Sequence, residues 1–315
     1  MRPTLTFLIG CTASGKGSLG RLLASRTGGE IISLDSMKVY RGMNIGTAKP
    51  SPAARADVPH HLIDVVEPWE EFTVARFVEL ADQAIAGIHE RGRPIFAVGG
   101  TPLYLKILTE GMFEGPGADP ELRDRLRREA DVDGGAALHK RLGDVDPASS
   151  RRIHPNDLRR IIRALEVFEL TGVPISTLQA QWDQQRQRYD CVLIGLHRSR
   201  EDQSRRIRDR VAKMIDAGLV DEVRALLASP NPLSATARKA VGYAEVIEHL
   251  RGESTREQAV ERIKINTRRL AKAQRTWLRR FVLTRRIDLE PDSRAEDVAD
   301  ALMREFGALW SPSPK

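Results

Sequence analysis

Gly10-Cys11-Thr12-Ala13-Ser14-Gly15-Lys16 is the stretch whose reading decides the fold. The apolar run Leu5, Phe7, Leu8, Ile9 precedes it and Leu19, Leu22 and Leu23 follow at helical spacing, so it reads as strand, phosphate-binding loop, helix. Backbone N–H groups freed by the glycines, the positive end of the helix and the Lys16 ammonium together suit a pyrophosphate-like anion. The expected phosphate contacts are Gly10, Thr12, Ala13, Ser14, Gly15, Lys16 and Gly17. Loops of this pattern usually continue with Ser or Thr, whose hydroxyl holds Mg²⁺, but here that place is Gly17. Ser18, the candidate metal-side hydroxyl, lies about 100° further round the helix.

Outward from the loop, short apolar runs alternate with helical patterns. Strands are expected over 4–9, 30–33, 61–64, 94–98, 191–196 and 281–284, and a covering helix over 74–91, where Val74, Phe77, Val78, Ala81, Ile85 and Ile88 repeat at three and four. Such alternation predicts an α/β fold: a P-loop NTPase-like, mainly parallel sheet flanked by helices. Between about 116 and 188 the strand signal vanishes, and charged helical segments at 120–130, 134–142 and 155–171 read as a helical insertion. The core is therefore discontinuous, 1–115 with 189–310. Helices return at 201–217 and 220–228, a long one spans 255–280, and the Ser- and Pro-rich tail 311–315 is expected to be disordered.

The chain carries 50 Lys and Arg against 43 acids, a formal net charge of +7, which favours a polyanionic partner. Cys11 and Cys191 are too few for a zinc knuckle or a disulfide framework, and they suit a reducing compartment as small packing residues. No run of 18 apolar residues occurs, and the first strand begins almost at once, so a soluble, cytoplasmic protein with no membrane partner is expected, as a monomer.

Three further constellations carry chemistry. Asp35-Ser36-Met37-Lys38 follows the second strand, at the carboxyl edge where open α/β sheets take ligands, so Asp35 is either a base or metal-water holder, or merely the cap of a turn. Gly99-Gly100-Thr101 ends another strand at the same edge and offers a hydroxyl to a phosphate or a metal-bound water. In the insertion, Asp157 opens a helix bearing Arg159, Arg160 and Arg163, a number of arginines that fits either phosphate contacts or a solvated salt-bridged face. The long helix is more lopsided. It places Arg262, Lys264, Arg268, Arg269, Lys272, Arg275, Arg279 and Arg280 against Glu261 alone, which leans toward a nucleic-acid backbone. Its inward stripe is expected to be Ile263, Thr267, Leu270, Gln274, Trp277 and Phe281.

Taken together these stretches resemble the bacterial tRNA dimethylallyltransferases. The matching residues are the loop at 10–16, Asp35-Ser36 with Val39-Tyr40-Arg41-Gly42-Met43, Ile45-Gly46-Thr47-Ala48-Lys49-Pro50, His60-His61-Leu62-Ile63-Asp64 and Gly99-Gly100-Thr101 with Leu103-Tyr104. Further on come residues 154–166, then Arg206-Ile207, Arg210, Met214, Gly218-Leu219, Glu222-Val223, Val241-Gly242-Tyr243 and, in the long helix, Thr267-Arg268, Ala271-Lys272, Gln274 and Thr276-Trp277. The resemblance implies transfer of a dimethylallyl group from dimethylallyl diphosphate to the N6 amine of the adenosine immediately 3′ of the anticodon, with Mg²⁺ assisting. It implies Asp35 as general base, Thr101 on the phosphate side and Arg210 on the leaving group. The tRNA anticodon stem-loop then contacts Asp35, Ser36, Met37, Lys38, Thr101, Arg123, Arg159, Arg160, Arg163, Gly242, Tyr243, Arg268, Lys272, Gln274 and Arg275, with the insertion serving as a tRNA-binding domain.

Three positions depart from the family's pattern: Gly17 for a hydroxyl residue, Lys38 for Gln and Pro102 for Gly. Lys38 adds a positive charge beside the proposed base, and Pro102 removes an N–H from the Thr101 turn. Activity is expected to survive these changes, with Mg²⁺ held mainly through water and diphosphate oxygens. The competing expectations are a nucleotide-binding, ATP-dependent kinase of a small metabolite, a catalytically impaired tRNA-binding homologue, and a transferase acting on free adenine nucleotides.

Overall fold

A computed structural model of the chain describes residues 2–111, 115–180 and 188–311. Among them β1 (Thr4–Gly10), β2 (Glu30–Leu34), β3 (His60–His61), β4 (Ile95–Gly99), β5 (Asp190–Arg198) and β6 (Arg285–Leu289) form one parallel sheet in the order β3-β2-β4-β1-β5-β6. β1 is central. Its Leu5, Phe7 and Ile9 pack on one face with Phe77, Ala81, Ile85 and Ile88 of the helix Val74–Glu90. Leu8 packs on the other with Leu19 and Leu23 of the helix Lys16–Thr27 and Ala299 and Leu302 of the helix Ala295–Phe306. A strand covered on both faces needs no polar alternation, which is why the run ahead of the loop is almost continuously apolar. Thr6, buried within it, accepts a hydrogen bond from Trp310 Nε1 at 2.8 Å.

The strand order brings the carboxyl ends of β2, β4 and β1 side by side, with Leu34 opposite Gly99 and Gly99 opposite Ile9. Everything that follows those ends, the phosphate loop, Asp35 and Thr101, is therefore delivered to one edge.

Two strands differ from the sequence expectation. β3 is only His60–His61, because Leu62 and Asp64 turn into the left-handed region, at φ 61° and 56°, and Asp64 swings to Lys49 at 2.5 Å and Arg55 at 2.6 Å. The last strand is Arg285–Leu289 rather than 281–284; Phe281 and Leu283 reach the core from the preceding segment, while the edge strand itself shows mostly charged, exposed residues. The helix Ala295–Phe306 was not among the expected elements. The long helix runs Arg256–Leu278, and its inward stripe is Ala259, Ile263, Thr267 and Ala271, whereas Leu270 is 41 % exposed.

The chain divides into two compact units, Met1–Thr109 with Tyr189–Lys315, and Glu110–Arg188. The second consists of the helices Pro120–Asp133, Gly135–Val145, Pro147–Arg152, Leu158–Thr171 and Ile175–Gln179, around a core that includes Leu126, Leu142, Ile161 and Leu165. Asp157 stands just before the helix Leu158–Thr171 as its N-cap, rather than inside its first turn. Of the expected disordered tail only Ser311 falls within the described residues. Among the described residues no helix is long and apolar enough to cross a membrane.

Candidate active site

The phosphate loop leaves β1 at Gly10 and closes at Gly15, whose φ of 95° is left-handed and favours glycine, immediately before the helix Lys16–Thr27. Side chains grip its carbonyls one after another. Cys11 O accepts from Lys16 Nζ at 3.0 Å, Thr12 O from Gln203 Nε2 at 3.0 Å, Ala13 O from Arg206 Nε at 3.0 Å and Ser14 O from Arg198 Nε at 3.1 Å. The two ends of a trans peptide point opposite ways, so holding the Thr12 and Ser14 carbonyls turns the Ala13 and Gly15 N–H groups away from those side chains. Arg198 is itself fixed by the buried Asp202 at 2.8 Å. Gln203, Arg206, Arg210 and Lys213 recur at helical spacing on one face of the helix Arg200–Asp216. The spacing of these four is a signal in the sequence itself, of which the family resemblance singles out only Arg206 and Arg210.

Opposite the loop, Asp35 follows β2 and its Oδ1 accepts the N–H of Met37 at 2.9 Å and of Lys38 at 3.3 Å. Asp35 thus caps a turn while lining the cavity wall. Thr101 Oγ1 accepts the Ser36 N–H at 3.3 Å, which ties the turn after β4 to the turn after β2. Pro102 is the first residue of the helix Pro102–Glu110, a position whose N–H has no intrahelical partner to lose.

These groups line an open cavity of about 860 Å³. Its wall includes Thr12 to Ser18, Asp35 to Lys38, Gly99 to Thr101, Arg21, Arg206, Arg210, Lys213 and Gln274, with Met214, Ala217, Val241 and Leu270 as apolar patches. Gly10 lies behind it and is buried. Burial is felt by the cations themselves: it lowers Lys16 to a pKa of about 8, with Asp35 opposing the shift and Lys38 and Arg210 adding to it. Burial likewise lowers Lys38, and Arg210, whose Nη1 reaches Thr12 Oγ1 at 3.3 Å. Ser14 Oγ, buried on the same wall, finds no protein partner. For a metal, the oxygen donors on this wall include the exposed Ser18 hydroxyl and the Asp35 and Asp209 carboxylates, and no group of three His, Cys, Asp or Glu residues forms a metal site among the described residues. So small a donor set fits a Mg²⁺ ion that keeps waters and takes most of its ligands from substrate phosphates.

Several expected RNA-contact residues stand elsewhere. Tyr243 is 0 % exposed, and its hydroxyl donates to Glu222 at 2.6 Å, so its side chain packs inward. The neighbouring Gly242 N–H is held by Glu245 at 2.7 Å. Arg123 and Arg163 both grip the buried Glu166, at 2.8 and 2.6 Å, and Arg163 also donates to the Pro116 carbonyl. Arg159 and Arg160 are exposed, the latter 3.3 Å from Asp157. On the long helix Lys272 is exposed, Arg268 reaches Glu261 at 3.4 Å, Gln274 lines the cavity, and Arg275 reaches Gln203. Glu222, which the sequence offers only as one of the family-matching residues and without a role, accepts from the N–H groups of Asn44, Ile45 and Gly46 and so holds a loop of the cavity wall.

Comparison with known proteins places this geometry. A family model described as IPP transferase matches residues 38–281. The tRNA dimethylallyltransferase of Geobacter metallireducens is 49 % identical over 276 residues, which are 88 % of this chain and 89 % of that protein. That of Desulforudis audaxviator is 47 % identical over 307 residues, 96 % and 99 % of the two chains. Among solved structures, the full-length tRNA isopentenylpyrophosphate transferase of Bacillus halodurans superposes with a TM-score of 0.69 at 38 % identity, covering 98 % of this chain and 99 % of the other. A eukaryotic dimethylallyltransferase acting on tRNA superposes with a TM-score of 0.81 at 27 % identity, covering 99 % and 81 %.

Proposed function

The chain belongs to the IPP transferase family, and on that premise we propose that it transfers a dimethylallyl group from dimethylallyl diphosphate to the N6 amine of the adenosine 3′ of the anticodon in tRNA, releasing diphosphate. It is an enzyme, a tRNA prenyltransferase. The observation that carries the substrate assignment is a single cavity with a cationic phosphate loop on one wall and a turn-fixed carboxylate on another.

The chemistry divides accordingly. As the allylic C–O bond breaks, its electron pair leaves with the diphosphate, and the growing charge is met by the loop amides, Lys16 and Arg210. Ser14 Oγ, buried without a protein partner, suits a phosphate oxygen. The N6–C bond forms on the other side, and the amine proton passes to the Asp35 carboxylate. Thr101, bonded to the Ser36 N–H, holds the two turns in register. Mg²⁺, when bound, would supply further neutralisation of the diphosphate, and Ser18 is the residue beside the loop that would hold it. To enter the cavity the adenine must leave its stack. The RNA backbone is then met by exposed cations, Arg159 and Arg160 on the insertion and Arg269 and Lys272 on the long helix.

Incubation with dimethylallyl diphosphate, Mg²⁺ and either tRNA or AMP tests the reading: mass spectrometry should find N6-prenylated adenosine in tRNA alone. Prenylated AMP would move the assignment to a free-nucleotide transferase, and ATP turnover without prenylation would move it to a kinase. Asp35→Ala should bind tRNA normally while losing at least about 100-fold in rate; an undiminished rate removes Asp35 as base.

A further inference from the structure

Gln274 makes two hydrogen bonds that span the sheet edge. Its Oε1 accepts the Thr12 N–H of the phosphate loop at 2.8 Å, and its Nε2 donates to the Gly100 carbonyl, next to Thr101, at 2.8 Å. One primary amide thus joins the segments that follow β1 and β4. The approach is tight: a Cβ on Gly100 would come within 2.8 Å of Gln274 Nε2 and of the Gly10 carbonyl. The adjacent helix residue works on the next peptide of the loop, since Arg275 reaches Gln203 Oε1 while Gln203 Nε2 holds the Thr12 carbonyl. Thr12 is held at its N–H, its carbonyl and, through Arg210, its hydroxyl.

We propose that Gln274 is a positioning residue for the donor diphosphate, clamping the phosphate loop to the Thr101 turn, and not a contact to RNA. The inference rests on the donor site proposed above. Without the clamp, a loop that must present its amides to a dianionic group pays the cost of ordering itself on each binding event, whereas a pre-held loop does not. The Thr12 N–H is spent on the clamp, so phosphate recognition falls to the amides from Ala13 onward.

The test is Gln274→Met, which keeps the side-chain length and removes both hydrogen bonds, read by calorimetry with inorganic pyrophosphate and Mg²⁺ and, separately, by filter binding of tRNA. The expected result is about tenfold weaker pyrophosphate binding, equivalent to about 1.4 kcal/mol, with tRNA affinity within about twofold of wild type. In turnover, KM for dimethylallyl diphosphate rises while KM for tRNA holds. Gln203→Met, which loosens the same residue, Thr12, at its carbonyl, should reproduce the pattern and stands in if the first variant does not fold. A loss of tRNA affinity with unchanged pyrophosphate binding overturns the proposal, as does a variant unchanged in both. Failure of the wild-type chain to bind pyrophosphate overturns the donor site itself and the clamp with it.

Discussion

Lys16 sits where its charge is most useful and hardest to keep. Burial lowers it to a pKa of about 8, and its ammonium donates to the Cys11 carbonyl within the loop. In the free protein the charge is present below that value and lost above it, so donor affinity should weaken as pH rises past about 8, while bound diphosphate holds the proton to higher pH. The measurement is KM for dimethylallyl diphosphate between pH 6.5 and 9.5, with Lys16→Arg, always charged, flattening the trend. Gly17 makes a second residue-scale test. A Cβ there meets nothing within 4 Å and the backbone is not left-handed, so Gly17→Thr should fold normally and lower the Mg²⁺ concentration for half-maximal rate; an unchanged concentration means this position does not limit metal binding. The loop was legible because a phosphate cradle needs its residues at fixed, local spacing. Gln274 and Gln203 were not legible as its supports, because their partner at Thr12 lies 262 and 191 residues away.

At the scale of elements, strands buried on both faces announced themselves as apolar runs, and the two that failed to were edges. β3 and β6 gain little from an apolar run, and their residues answer to polar partners and solvent instead, His61 to Glu30 and Arg286 to Asp288. The insertion shows the same limit in a helix. From the sequence, Arg123 and Arg163 look like spare cations, yet Glu166 at 0 % exposure takes both guanidiniums and the Asp119 N–H at 2.7 Å. Burial alone would raise this carboxyl, but the hydrogen bonds from Arg123 and Arg163 outweigh it and hold Glu166 below the ordinary value. Its contribution to stability is therefore complete above the unfolded value, near about 4.3, and is lost as pH falls through the lower folded one. Glu166→Gln should cost about 2–3 kcal/mol at pH 7, less than a fully buried pair because both arginines keep some contact with water. The difference between the two proteins in urea melts should shrink toward pH 3. A constant difference from pH 7 to 3 would mean that the amide loses packing and not charge.

For the whole molecule, the vanishing of strands between about 116 and 188 leads one to expect a helical insertion, and the compact unit formed there spans Glu110–Arg188. Which cations are left unanswered was less visible, because surface charge is only half read until its partners are known. Of the eight basic residues on and just beyond the long helix, Arg262 meets Glu248, Lys264 and Arg268 meet Glu261, and Arg275 meets Gln203. The net charge of +7 therefore overstates the local field at one end of the helix and leaves exposed cations such as Arg269 and Lys272 toward the other. If those two neutralise phosphates, each alanine substitution should reduce the slope of log tRNA affinity against log salt by about 0.7 to 0.9, and the loss should be uniform across tRNA sequences. Arg262→Ala should change the slope less, since its charge is already answered. Pyrophosphate binding by the same variants should not move if Lys16 and Arg210, which line the cavity, are the cations that hold it. Equal slopes for all three variants would mean that the RNA follows a different face, and the insertion arginines Arg159 and Arg160 would then be the place to repeat the measurement.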